Sequence, residues 1–180
     1  MNTLASNLGR REFLALAAAG GAGAAGLSIS QASASQGATA ADLSETNVAL
    51  IRKLYDAVNK KDLAVIESYG DDDSEWLDVP FKFTSTGRRA IIDPWKSWFN
   101  IFPDATCEVR NVVGLGDYVV AQGTGRGTHR GVFKSPAGEL APSGRKMAVS
   151  FCDVYQLRDG KILRADSYFD FYDLLNQLKA

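Results

Sequence analysis

The sequence predicts an α+β domain, on three observations. Helical apolar spacing is confined to the first part of the folding region, long alternating runs fill the second part, and Asp159-Gly160 joins the last two of those runs. Helices first and strands joined by tight turns afterwards imply an antiparallel sheet rather than repeated βαβ units.

Each element has its own signal. Over residues 45–59, Val48, Ile51, Leu54, Tyr55 and Val58 recur at helical spacing, and Ser44 is placed to cap the helix. Asn47 stands where a capping box would have Glu or Gln. A short helix over 63–69 ends at Gly70 and Asp71-Asp72-Asp73. That acidic run lacks the interleaved ligands and central glycine of a calcium loop, so it reads as a solvated turn. Residues 75–80 form a short strand. The next helix falls within 88–100 and contains Pro94, which places its start at Asp93 as N-cap with Pro94 in the first turn.

Three long strands follow at 106–114, 118–130 and 146–158, with 161–170 as the hairpin return. Gly116-Asp117 turns the first into the second, and Asp159-Gly160 tolerates the positive φ of a two-residue hairpin. Gly123, Gly125 and Gly127 share a strand face with His129 and mark a bend or a close approach. The Gly/Pro-rich stretch 134–142 is either a loop over a cavity mouth or an exposed hairpin. In the last strand, strict alternation puts Ile162, Arg164, Asp166, Tyr168 and Asp170 on one face and Leu163, Ala165, Ser167 and Phe169 on the other. Acid-Tyr-acid is poor core material, because unpaired buried carboxylates are costly, so the first face reads as a polar pocket wall.

The chain has 180 residues and a formal net charge of −1, which fits one domain and gives no basic bias toward nucleic acid. Residues 1–34 read as a twin-arginine leader: Arg10-Arg11-Glu12-Phe13-Leu14, a Gly/Ala-rich apolar run, and Ala32-Ser33-Ala34 at the cleavage positions. The apolar run is too short to span a bilayer, so no stable membrane insertion is expected and the mature protein is read as periplasmic or secreted. Residues 35–44 read as a disordered linker and 45–180 as the single domain. Cys107 and Cys152 fall on separate strands. If those strands flank a third they lie about 10 Å apart, which favours two buried free thiols over a disulfide. One His and no Cys/His/acid spacing give no metal site.

Several of these segments together resemble the SnoaL-like polyketide cyclases of the nuclear transport factor 2 superfamily, which includes ketosteroid isomerases and limonene epoxide hydrolases. The segments are the opening helix, Gly87-Arg88-Arg89-Ala90-Ile91 with Trp95, Trp98 and Phe99, Phe102-Pro103-Asp104, Gly125-Arg126-Gly127-Thr128-His129-Arg130-Gly131, Ser143-Gly144-Arg145-Lys146, and the last strand ending Tyr168-Phe169-Asp170. The resemblance implies a strongly curved antiparallel sheet wrapped around the N-terminal helices as a cone-like barrel with an internal pocket.

The resemblance also implies a cofactor-independent lyase or isomerase, with Asp170 as its acid/base. A pocket that raises the pKa lets one carboxylate remove a proton beside a carbonyl and later protonate an alkoxide. Read from the residues alone, Asp170 is equally suited to cap the helix after it. His129 falls in the family's Gly-Thr-His-x-Gly pattern and either assists proton transfer or is structural. Trp76, Trp95, Trp98, Phe151, Asp153, Asp166 and Tyr168 are the expected substrate-binding residues, suited to a small apolar or polycyclic molecule. Asp153 either lines the cavity or pairs with Arg126. Asp166 and Asp170 are roughly 13 Å apart along one strand, too far to share a proton. Asp78 departs from the His that many relatives carry after the first strand's tryptophan. Two other readings stand beside the cyclase: an epoxide-hydrolase-like enzyme, which needs an Arg–Asp pair in the cavity, and a non-catalytic binding protein. A homodimer through the sheet is compatible with the sequence.

Overall fold

The computed structural model describes residues 40–179. The leader, its cleavage site and most of the expected linker lie outside the described residues, and the export reading lies there with them. Among the described residues no helix is long and apolar enough to cross a membrane.

The first helix, α1 (Ala40–Lys60), begins earlier than residue 45, since Ala-Ala-Asp-Leu favours helix and places Asp42 in the first turn. Ser44 therefore lies inside the helix. Its hydroxyl accepts from the Gly116 amide (2.7 Å), while Asn47 donates to the Gly116 carbonyl (3.0 Å). The two side chains clamp the turn at Gly116 onto α1. Ile51, Leu54, Tyr55 and Val58 form the buried face, as their spacing requires. Asp62 caps α2 (Leu63–Ser68) by accepting from the Val65 amide (3.2 Å).

The strand β1 (Glu75–Asp78) leads through a 3-10 turn, Val79–Phe81, into β2 (Phe83–Thr86), an edge strand too short to announce itself in the sequence. The helix α3 (Ile92–Ile101) starts before Asp93. Asp93 is thus not the N-cap, and its carboxylate pairs with Arg89 at 2.7 Å instead. The acidic run is ion-paired at Asp72–Arg88 and Asp73–Arg158, both 2.7 Å.

The long strands are β3 (Thr106–Leu115), β4 (Tyr118–Thr128), β7 (Lys146–Arg158) and β8 (Lys161–Phe169). Between them, β5 (Phe133–Ser135) and β6 (Gly138–Leu140) form a small hairpin, and α4 (Phe171–Lys179) closes the chain. Asp159 and Gly160 both have positive φ (52° and 74°), as a two-residue hairpin demands.

One curved sheet has the order β2-β1-β8-β7-β4-β3. It is not closed into a barrel, and it is not wholly antiparallel, because β1 runs parallel to β8. Two apolar clusters fill its concave side. The larger joins α1, α2 and α3 to β4, β7 and β8, and the smaller gathers Phe102, Phe133, Met147, Val149, Leu174 and Leu178.

Two irregularities set what the sheet presents inward. A bulge between Val109 and Asn111 bends β3. A second lies in β8: Leu157 pairs with Ile162 but Gln156 pairs with Arg164, so Leu163 is the extra residue. The extra residue reverses the inward and outward alternation beyond it. Ile162 is buried before the bulge, and Ala165 and Ser167 are buried after it. Strict alternation therefore assigned the wrong face to the end of this strand. Asp166, Tyr168 and Asp170 belong to the outer side.

Candidate active site

The inner side of the sheet, facing α3, encloses a cavity of about 70 Å³. Its walls are mostly aromatic: Trp76 of β1, Trp95 and Trp98 of α3, Phe151 of β7 and Phe169 of β8. Trp76 and Trp95 meet edge to face with ring centroids 5.8 Å apart, and Tyr55 stacks on Phe151 at 5.6 Å. Gly123 makes the Phe151 position possible. A Cβ there would lie 2.7 Å from the Phe151 ring and 2.4 Å from the Glu108 carbonyl oxygen.

Asp153 is the buried acid of this cavity, 3 % exposed. Tyr55 donates to its Oδ2 at 2.5 Å, the Tyr155 hydroxyl stands 3.3 Å from the same oxygen, and the two tyrosine hydroxyls are 2.9 Å apart. Oδ2 is therefore held by α1 and β7 together. Oδ1 is buried and makes no hydrogen bond. Burial pushes the carboxyl up to about 6, against the lowering influence of the Tyr55, Ser167 and Tyr155 hydroxyls, and the Asp78 charge adds to the rise. Burial and the Asp153 charge beside them push both tyrosines well above their ordinary value, so they stay protonated donors.

A second carboxyl shares the cavity. Asp78, Ser167 and Asp153 lie in register on the adjacent strands β1, β8 and β7. The two aspartate backbones are thus roughly 10 Å apart with the serine between them. Asp78 accepts from Trp76 Nε1 (3.2 Å), and burial raises its pKa despite that bond. Cys107 also lines the cavity; burial, with Asp153 near it, pushes its thiol up to about 12, so it is a neutral group and no nucleophile. Trp95 Nε1 is a further buried polar atom without a partner.

Five of the expected substrate-binding residues therefore come together at the cavity: Trp76, Trp95, Trp98, Phe151 and Asp153. Four expected site residues do not. Asp166 is on the outer face, where its carboxylate bonds Arg164 (3.0 Å), and Tyr168 is 44 % exposed. Asp170 is exposed as well. Its Oδ1 accepts from the Asp173 amide at 2.9 Å and its carbonyl from Leu174, which makes it the cap of α4 and not the cavity acid. His129 is buried in the smaller cluster between Phe102 and Phe133. The Ser143 amide donates to its Nδ1 (3.3 Å), which puts the proton on Nε2, and burial lowers its pKa. It is a neutral core histidine.

Arg126 does not meet Asp153; it pairs with Glu108 at 3.4 Å on the surface. Cys107 and Cys152 are both free on strands flanking β4, but Cys152 is only half-buried. Ser167 and Phe169, like Asp78 and Cys107, are cavity residues that escaped the sequence reading as site residues. Ser167 and Phe169 were placed on the wrong face by the unseen bulge.

The sequence profile of the SnoaL-like polyketide cyclases matches residues 49–178. IdmH from Streptomyces antibioticus, assigned as a polyketide cyclase, is 25 % identical, with a TM-score of 0.62 over 74 % of this chain and 99 % of that one. A protein from Jannaschia sp. CCS1 assigned as a SnoaL-like polyketide cyclase gives a TM-score of 0.68 at 20 % identity, covering 80 % of this chain and 99 % of that one. An LEH-like epoxide hydrolase of M. tuberculosis gives 0.58 at 16 % identity over 75 % and 90 %. The last two show the shared fold alone. No curated protein matches the chain. With its curved open sheet, its helices on the concave side and the profile spanning nearly the whole described domain, the chain belongs to the SnoaL-like polyketide cyclase family and has the nuclear transport factor 2-like fold.

Proposed function

We propose that the protein is a cofactor-independent lyase or isomerase of the cyclase type, with Asp153 rather than Asp170 as its acid/base. One observation carries this: a buried carboxyl on an aromatic-walled cavity, held by two tyrosines through Oδ2, with Oδ1 making no hydrogen bond. A group whose pKa is about 6 accepts a proton at neutral pH and returns it readily. In the reaction, Oδ1 takes a proton from a carbon beside a carbonyl. The electron pair moves onto the carbonyl oxygen, where the unbonded Trp95 Nε1–H is available to donate. The resulting enolate attacks a second carbonyl, or is reprotonated at another carbon. The proton on Asp153 then goes to the new alkoxide or carbon, and the carboxylate is restored.

The epoxide-hydrolase reading loses its support, since its nominated Arg126 is engaged with Glu108 on the surface. The binding-protein reading expects carboxylates of ordinary pKa, and both cavity carboxyls are raised. We read residues 1–34 as the leader that sends the folded enzyme out of the cytoplasm, and a secreted reporter fused behind them, compared with an Arg10→Lys, Arg11→Lys form, checks it.

The test of the function is deuterium uptake from heavy water at the α carbon of small cyclic ketones, followed by proton NMR. Wild-type protein accelerates exchange, and Asp153→Asn lowers the acceleration by roughly 10²- to 10⁴-fold. Equal acceleration in the two proteins removes Asp153 from the role.

A further inference from the structure

The cavity is small beside the roughly 300–1,000 Å³ of an ordinary ligand pocket. It adjoins a second space. A groove of about 440 Å³ runs outside it, and Asp78, Pro94 and Trp98 line both. Beyond these three the groove is walled by Phe81 and Phe83 from the 3-10 turn and β2, by Ile101 of α3, and by Phe133 and Pro136 of the β5–β6 hairpin. Phe83, on the edge strand β2, is 60 % exposed. The buried polar atoms without a partner, Asp153 Oδ1 and Trp95 Nε1, belong to residues of the inner space, whereas the outer groove has mostly apolar walls with Ser97, Lys134 and Ser135 among them.

We infer that the groove is the subsite for the apolar body of the substrate, and that the substrate is an elongated amphiphile. Its compact oxygen-bearing head enters the cavity past Asp78, Pro94 and Trp98, and an alkyl chain or further ring lies against Phe81, Phe83 and Ile101. This rests on the acid/base reading for the head group and adds to it the shape and polarity of the remainder. The commitment to a small molecule follows from continuity: a ligand in the groove touches the same three residues as a ligand in the cavity. The β5–β6 segment, read from sequence as either a mouth-covering loop or an exposed hairpin, is then the hairpin that walls the entrance.

The test is calorimetric binding of straight-chain methyl ketones, from 2-butanone to 2-decanone, to the full-length protein and to Ser97→Trp. Ser97 is an exposed α3 residue on the groove, so the larger side chain fills the groove without entering the core. In wild type, affinity rises by about fourfold per methylene until the groove is filled. In Ser97→Trp that gain disappears while 2-butanone binds as before. A chain-length gain of the same size in both proteins overturns the groove assignment, because the tail then lies elsewhere. The absence of any gain in wild type overturns it too. Asp153→Asn is titrated with 2-butanone in the same series; unchanged affinity there counts against the head-group reading, whereas the chain-length comparison alone decides the groove.

Discussion

Asp153, in the middle of β7, and Asp170, just past the end of β8, are acids of the same sheet, and their surroundings give them opposite tasks. Asp170 offers its carboxylate to the α4 amides in solvent. Asp170→Ala is expected to cost about 1 kcal/mol of stability as a lost cap, with cavity chemistry unchanged, as checked by urea denaturation and ketone exchange. Asp153 is the residue with a pH signature. Its folded pKa of about 6 lies above the ordinary 3.8, so the folded state holds the proton more tightly than the unfolded chain does. That contribution is complete below about pH 3.8 and is lost as pH rises through about 6, a change of about 3 kcal/mol. Wild type is therefore expected to lose that much stability between pH 4 and pH 8 relative to Asp153→Asn, measured by paired urea curves. Arg126→Ala is expected to change stability by no more than ~0.5 kcal/mol, since its pair is exposed, and to leave exchange untouched. The unusual status of Asp153 was legible in its sequence neighbours, an acid among Phe151, Cys152, Val154 and Tyr155. Its partner Tyr55 was not, because that residue comes from a helix about a hundred residues earlier.

At the scale of the element, periodicity and turn chemistry located most of the fold. The bounds of β7 agree to the residue, and the Asp159-Gly160 turn has the backbone its residues imply. What the sequence could not carry was phase. Leu163 has no distinguishing side chain, yet as the extra residue in β8 it decides whether Asp166 and Tyr168 or Ser167 and Phe169 face the cavity. The start of α3 also moved: the helix begins at Ile92, so Asp93 lies in its first turn and pairs with Arg89 rather than capping it. Deleting Leu163 removes the bulge but keeps Ile162 opposite Leu157 and Arg164 opposite Gln156, so Ser167 and Phe169 are expected to stay inward and the near-ultraviolet circular dichroism of the packed aromatic rings to be retained. Loss of that spectrum in the deletion would show that the register beyond the bulge depends on Leu163 itself. Gly123→Ala presses on the Glu108 backbone carbonyl and the Phe151 ring, and about 1–3 kcal/mol of destabilisation is expected in thermal unfolding.

For the molecule as a whole, the open curved sheet brings residues distant in sequence to one concavity: Tyr55, Asp78, Trp95, Asp153 and Ser167. The family resemblance anticipated the pocket, while the acid chosen from the chain end lies outside it. That outcome has a structural logic, because a strand end leading into a helix favours a cap, whereas the middle of a central strand is where burial can raise a carboxyl pKa. Catalysis by Asp153 requires that it be that raised carboxyl. Carbon-13 NMR titration of the aspartate carboxyls tests it most directly, comparing wild type, Asp153→Asn and Asp170→Asn. The expected result is one carboxyl titrating near pH 6 that vanishes in Asp153→Asn and persists in Asp170→Asn. A raised carboxyl that instead vanishes in Asp170→Asn, or no resonance titrating above the ordinary aspartate range, contradicts the account.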